Sequence, residues 1–368
     1  MHIAIDSRLY GLKHAGIGRY VQNLVANLAL IDHTNHYTLL VTATQDIDPL
    51  PHNFTTVTAP IRHYTFAEQT EFLSVLNSFH FDLVHFPHFN VPLMYHRPYV
   101  VTIHDLLWHK KIGLSATTLN PTTYFLKYFG YRIVIKNAIN RAQVVITPSA
   151  VIKKSIIKTF ATNPDKIAVS YEAPDPIYSK TVSTQTLEKY HLTKPFIIYT
   201  GSLYPHKNVN TLINSLHQLP NLTLVISSAR NIFYTHTKDF VHAQGLDKQV
   251  KFLGYVPDSE LVSLYHHALA LVQPSLSEGF GLTGLEAMSA GLPVICSQHP
   301  VLEEIYANAA LFVDTNSVSA LAASISRLQT DTKLSTKLTK LGKIQAAKYS
   351  WAKMAQQTLN VYQQVLHY

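Results

Sequence analysis

Residues 269–293 read LALVQPSLSEGFGLTGLEAMSAGLP, and the reading of this stretch decides the fold. Leu269 to Val272 is an apolar run suited to a buried strand, and Gln273 to Ser277 is a polar turn. From Gly281 onward Leu282, Leu285, Ala287 and Met288 recur at helical spacing, and Gly291 followed by Pro293 stops the helix. A strand, a glycine-bearing loop and a helix in that order make an α/β unit. Gly279 and Gly281 leave the backbone bare where the helix begins, so amides there can face an anion. A carboxylate cannot help to bind phosphate. Glu278 on the loop and Glu286 on the helix therefore suit hydroxyl groups of a sugar phosphate ester, with the amides taking the phosphates.

Working outward, 368 residues suit two domains, each with its own core. Hydrophobic residues at 47% against 14% charged place the chain among globular proteins. One cysteine, Cys296, excludes an intramolecular disulfide and suggests a reducing compartment. The start MHIAID reads as a strand and not as a signal peptide, and no apolar run is long enough to span a bilayer. The formal charge of +8 attracts anions: nucleic acid, nucleoside diphosphates or lipid head groups. Nucleic acid is set aside, because no zinc knuckle, helix-turn-helix signal or arginine-rich tail is present.

In chain order, strand 2–6 leads through Gly11, Gly16 and Gly18, read as a flexible loop, into a helix over Ile17 to Leu30. Strands follow at 37–42, 54–59 and 82–86, with a helix near Phe66 to Phe79. His85 and His88 form an H-x-x-H without a third ligand. It is weak as a metal site and reads as a loop at a strand's carboxyl end, where open α/β sheets place ligands. DID at 46–48 reads as a solvated turn. The buried-strand run 99–106 ends in His104 and Asp105, which emerge at the same edge. Residues 118–141 predict an amphipathic helix rich in aromatic and basic residues, with Lys153, Lys154 and Lys158 on the next helix. Packing with lysines on the wet face is the preferred reading; an anionic lipid surface is the alternative. Strands at 143–149 and 166–172 complete the first half. Pro174, Pro176 and the polar stretch Ser179 to Lys194 read as the connection. A second series of strands then starts at 196–201 and continues at 223–229, 250–256, 269–275, 293–297 and 310–314. Lys207, at the start of the helix after GSLYPHKN, suits a diphosphate. Helices close the chain, the last amphipathic with Trp351, Met354, Leu359 and Tyr362.

Glu278 and Glu286, within E-G-F-G-L and L-E-A-M, resemble the acid–seven residues–acid signature of retaining family 4 glycosyltransferases. G-I-G-R-Y at 16–20, T-I-H-D-L at 102–106 and G-S-L-Y-P-H-K-N at 201–208 are similar to further family motifs. The resemblance implies α/β architecture of the GT-B kind: two tandem Rossmann-like domains facing across a cleft, with a C-terminal helix crossing back to the first. The expected division is 1–176 on the acceptor side, 177–348 on the nucleotide-sugar side, and 349–368 as that helix. It implies His104, Glu278 and Lys207 as catalytic residues. It implies donor binding by Gly16, Gly18, Gly201, Ser202, Lys207, Val256, Glu278, Gly279, Phe280, Gly281, Leu282 and Glu286. Arg19, Asp105, His85 and His88 fall on the acceptor side. Glu278 would meet the transferred sugar, Glu286 the ribose, His104 the sugar or its phosphate, and the backbone near Val256 the base. Ser202 departs from the arginine frequent in the family, so charge neutralisation leans on Lys207.

The activity implied is hexosyl transfer by a front-face route to a glycan or lipid-linked acceptor. GDP-mannose is the first donor, and UDP-glucose and UDP-N-acetylglucosamine stay open. The resemblance calls for no metal or other cofactor. Nucleic acid is not a partner, and an anionic membrane surface is a further one. The expected setting is cytoplasmic, including the inner face of the membrane. A sugar-nucleotide epimerase of the same architecture and a non-catalytic nucleotide-sugar-binding homologue are the alternatives.

Overall fold

The computed structural model describes residues 1–44, 47–110, 120–180, 185–229 and 231–366. Asp46 of DID, residues 118–119 of the expected amphipathic helix and residues 181–184 of the expected connection lie outside these. The chain divides into two compact units, Met1–Glu172 with Ser350–Tyr368, and Ala173–Tyr349.

The first unit holds seven strands: β1 (His2–Asp6), β2 (His36–Val41), β3 (Phe54–Thr58), β4 (Leu83–Phe86), β5 (Tyr99–Thr102), β6 (Val144–Thr147) and β7 (Ile167–Val169). They form one parallel sheet in the order β3-β2-β1-β4-β5-β6-β7. The second unit holds β8 (Phe196–Thr200), β9 (Thr223–Ser227), β10 (Val250–Gly254), β11 (Leu271–Gln273), β12 (Val294–Ser297) and β13 (Ala310–Val313). Its order is β10-β9-β8-β11-β12-β13, again all parallel. Central strands such as Phe196–Thr200 are apolar without alternation because helices cover both faces. Each sheet reverses its strand order once, between β1 and β4 in the first unit and between β8 and β11 in the second. A crevice outside the carboxyl ends of the strands at such a reversal is where doubly wound sheets take ligands.

The helix after β1 spans Ala15–Ile31 and buries Tyr20, Val21, Leu24, Val25 and Leu28. It starts two residues before the expected Ile17, so Gly16 and Gly18 belong to its first turn and not to a loop. The last helix, Trp351–Leu366, packs within the first unit. Its Met354 carbonyl accepts from the Ser170 hydroxyl at 3.2 Å, and its buried Tyr362 hydroxyl meets His85 Nδ1 at 2.6 Å. Much of the proline-bearing stretch read as a connection is built into the second unit. Tyr178 is fully buried and donates to Asp258 Oδ1 at 2.8 Å, and Tyr190 donates to Glu260 Oε2 at 2.6 Å. No described helix is long and apolar enough to cross a membrane.

Candidate active site

In the second unit the loops after β8 and β11 leave the reversal point side by side. The Leu276 amide donates to the His206 carbonyl at 2.8 Å. Lys207 ends a short 3₁₀ turn, Pro205–Lys207, ahead of the helix Val209–Ser215. Its Nζ lies 2.7 Å from Glu278 Oε1, with the lysine side chain 20% exposed and the glutamate 11%. Gln273 Nε2 donates to the same carboxylate oxygen at 2.9 Å. Burial raises the Glu278 carboxyl, but the charge and hydrogen bond of Lys207 outweigh it and hold the group below its ordinary range. Two residues 71 positions apart thus form one charged pair at the carboxyl edge of the sheet.

Tyr306 supports this pair. Its buried hydroxyl donates to Gln273 Oε1 at 2.7 Å and bonds the Gly281 carbonyl, so Tyr306, Gln273, Glu278 and Lys207 form one chain of contacts. Burial raises the Tyr306 phenol well above its ordinary range, so it stays a donor. The tyrosine also explains two glycines. Gly281 has φ 96°, which only glycine adopts readily, and a Cβ there would lie 2.6 Å from the Tyr306 oxygen. A Cβ on Gly284 would lie 2.2 Å from it. Sequence reasoning missed Gln273 and Tyr306. Gln273 was read as an ordinary turn residue, and Tyr306 stands on a later helix with no local motif.

The helix Leu282–Ser289 opens at Gly281, with Gly279 and Leu282 half-buried at its entrance. Glu286 is 3% exposed on its inner part. The Phe280 ring is 4% exposed and packs edge-on against Tyr349. Gly201 has φ 131°, and the Ser202 carbonyl accepts from the Tyr199 hydroxyl. Val256 follows β10, two strands from β8, and its side chain is buried.

In the first unit His104 leaves the carboxyl end of β5. Its Nδ1 lies 3.0 Å from Glu172 Oε1 and its Nε2 3.0 Å from the Pro87 carbonyl, so a ligand reaching a ring nitrogen must displace one of these. Asp105 is exposed and accepts from the Leu107 amide at 2.8 Å, starting a short helical turn. His88 lies on the loop after β4, its Nδ1 2.7 Å from Asn90 Oδ1. Burial, then the charges of His63 and His104, push it down to about 3. His85 requires a correction: it is inside β4, fully buried, between Tyr362 and Thr102 Oγ1 at 2.9 Å. Burial pushes it down to about 3, so it is a neutral pin for the last helix and reaches no acceptor. Gly18 is buried in the first turn of the helix Ala15–Ile31. A Cβ there would meet the Gly11 carbonyl at 2.0 Å, so glycine lets the preceding turn pack on the helix. Gly16 faces open space, and Arg19 is half-buried on the next turn.

The helix Pro121–Arg141 has two apolar faces. Tyr124, Tyr128, Tyr131, Ile135 and Ile139 are buried, while Phe125, Leu126, Phe129 and Ile133 are 54%, 75%, 66% and 45% exposed. Its charged residues are Lys127, Arg132, Lys136 and Arg141, with no acid among them. The sequence pattern did not separate the packed face from the bare one.

The chain matches two family models, "Glycosyltransferase Family 4" over residues 14–176 and "Glycosyl transferases group 1" over residues 185–345. It is 32% identical over 237 residues to an O-antigen chain mannosyltransferase B of Escherichia coli, covering 62% of this chain and 62% of that one. It is 30% identical over 243 residues to the O-antigen chain mannosyltransferase RfbU of Salmonella typhimurium, covering 66% of this chain and 63% of that one. The matches thus span less than two thirds of these relatives. The fold is similar to that of a sucrose-phosphate synthase from Thermosynechococcus elongatus, with TM-score 0.82 at 20% identity, covering 100% of this chain and 99% of the other. The chain thus carries a glycosyltransferase family 4 domain over 14–176 and a glycosyl transferases group 1 domain over 185–345, in a GT-B fold.

Proposed function

We propose that this chain is a retaining hexosyltransferase that moves mannose from GDP-mannose to a hydroxyl of a glycan or lipid-linked acceptor. The observation that carries the reading is the Lys207–Glu278 pair, 2.7 Å apart where the second sheet reverses its order. The diphosphate of a nucleotide-sugar brings two negative charges, and Lys207 with the amides at the start of Leu282–Ser289 offers the matching positive field. Glu278 holds sugar hydroxyls and Glu286 the ribose. In the first unit, His104 is the residue we assign to the transferred sugar. The acceptor oxygen attacks the anomeric carbon on the face the diphosphate leaves, and a phosphate oxygen takes its proton. As the carbon–oxygen bond to the diphosphate breaks, charge builds on the phosphate, where Lys207 stabilises it more than in the ground state. Mannose is chosen because the two relatives carry mannosyltransferase names.

We assign the bare face of Pro121–Arg141 to an anionic membrane surface on the cytoplasmic side. Four exposed apolar side chains among basic residues suit shallow insertion with charge attraction.

The test is incubation of the full chain with GDP-mannose, UDP-glucose and UDP-N-acetylglucosamine separately, followed by proton NMR. The reading expects GDP release from GDP-mannose, with the mannosyl product appearing first in the donor's anomeric configuration. An inverted product, an epimerised sugar or turnover confined to the uridine donors would contradict it.

A further inference from the structure

The helix Thr332–Ala346 of the second unit reads TKLSTKLTKLGKIQA, with four lysines and no acid in 15 residues. That is a concentration of charge in a chain with only 14% charged residues. The inner side of the helix is committed to packing. Leu338, Gly342, Gln345 and Ala346 are buried, and a Cβ on Gly342 would lie 3.1 Å from Met288 Cγ on the helix Leu282–Ser289. Gln345 Nε2 donates to the Ile305 carbonyl at 2.7 Å. These contacts fix which side of the helix faces outward.

On that outer side helical spacing sets Lys333, Lys337, Lys340 and Ile344 within an arc of about 60°, along about 16 Å of the axis. The three lysines are exposed, and Ile344 between their charges and the helix end is 53% exposed. Lys343 lies to one side, over Gly291, and Lys348 beyond the helix donates to Gln345 Oε1 at 2.8 Å. Among the described residues no carboxylate forms an ion pair with Lys333, Lys337 or Lys340. Asp331, just before the helix, caps it by accepting from the Leu334 amide at 2.9 Å. An ordinary solvated helix gains from glutamate set four residues before lysine. Here Lys333 and Lys337 are four apart, and Lys337, Lys340 and Lys343 three apart, so like charges face one another and each pair weakens the helix. A flat surface of opposite charge offsets that repulsion.

We propose that the face formed by Lys333, Lys337, Lys340 and Ile344 docks the second unit on an anionic lipid surface. The ammonium groups meet lipid phosphates, and Ile344 enters the boundary between head groups and acyl chains. Nucleic acid suits the face less well. No aromatic residue stands between Lys333 and Lys348 to stack a base, and no arginine to grip a phosphate with two donors. This face lies on a different unit from Pro121–Arg141 and depends neither on that assignment nor on the identity of the donor.

The experiment is sedimentation of the full chain with vesicles of mixed phosphatidylglycerol and phosphatidylcholine, and of phosphatidylcholine alone. It compares wild type with the triple variant Lys333→Gln, Lys337→Gln, Lys340→Gln, and repeats the comparison in the Leu126→Ser, Phe129→Ser background. The triple variant should bind the anionic vesicles more weakly by roughly fivefold per lysine, on the order of a hundredfold in all. Its Tm should equal or exceed the wild-type value, because like-charge neighbours are removed. A second readout reports on the face itself. Cys296 is fully buried, so an environment-sensitive fluorophore attaches to the Ile344→Cys variant at position 344. Its emission should shift to the blue with anionic vesicles and stay put with phosphatidylcholine. Unchanged sedimentation of the triple variant in both backgrounds overturns the proposal, as does a label that stays in water while the chain sediments. Tighter lysine-dependent binding to a DNA duplex than to the vesicles overturns the lipid assignment. If Leu126→Ser with Phe129→Ser sediments like wild type while the triple variant does not, the Pro121–Arg141 assignment falls and this one stands.

Discussion

Replacing Lys207 by methionine keeps the length of the side chain and removes its charge. The consequence falls on Glu278, whose side chain is 11% exposed and whose charge Lys207 meets at 2.7 Å. Removing one partner of a buried pair costs about 3–5 kcal/mol, because the remaining charge is left without compensation. Lys207 is 20% exposed, so water reaches the site and we take a smaller figure, about 2–3 kcal/mol. The sign with pH follows from the depressed carboxyl. Its stabilisation is present above the ordinary value of 4.5 and fades as pH falls through the lower folded value. In Lys207→Met burial acts without the lysine, so the carboxyl rises and the deficit is widest at neutral pH. Below the ordinary carboxylate range the deficit shrinks. Calorimetric unfolding at neutral and acid pH measures both. The double variant Lys207→Met with Glu278→Gln should regain most of the lost stability, since no charge is stranded, and should remain inactive. If Lys207→Met melts like wild type at neutral pH, or if the double variant is less stable than the single one, the pair does not work as argued.

Four further outcomes follow. Gly284→Ala should lose about 1–3 kcal/mol by thermal melting, since a Cβ 2.2 Å from the Tyr306 oxygen forces that side chain off its contacts with Gln273 and Gly281. His85 is held neutral near 3 against an ordinary 6.5, so the unfolded chain binds its proton first as pH falls. His85→Gln should therefore flatten the fall in Tm between about pH 6.5 and 4. Phe129→Ser with Leu126→Ser should reduce sedimentation with phosphatidylglycerol vesicles while leaving Tm within about 1 °C, as both side chains are exposed. Cys296 is fully buried and burial raises its thiol, so a thiol reagent should label it only as the chain unfolds.

The parallel sheets were legible because their strands are apolar without alternation and end in glycine, proline or a polar pair. Residues 196–201 and 269–273 show this directly, and the Glu278 and Lys207 loops follow from it. What the sequence withheld was depth. His85 and His88 look equivalent in HFPHFNVP, yet one points into the sheet against Tyr362, a residue 277 positions away. Gly16 and Gly18 look like a loop pair, yet one fits open space and the other a carbonyl at 2.0 Å. Tyr306 and Gln273 carry no motif, because their role arises only when two helices and a loop meet.

The central claim is that Lys207 meets the diphosphate of the donor. Isothermal titration of GDP into wild type and Lys207→Met tests it without any acceptor, with guanosine as the control that lacks phosphate. The account predicts that GDP binding weakens at least about tenfold in the variant, roughly 1.4 kcal/mol, while any guanosine binding is unchanged. Equal GDP affinity in a folded Lys207→Met variant would contradict it.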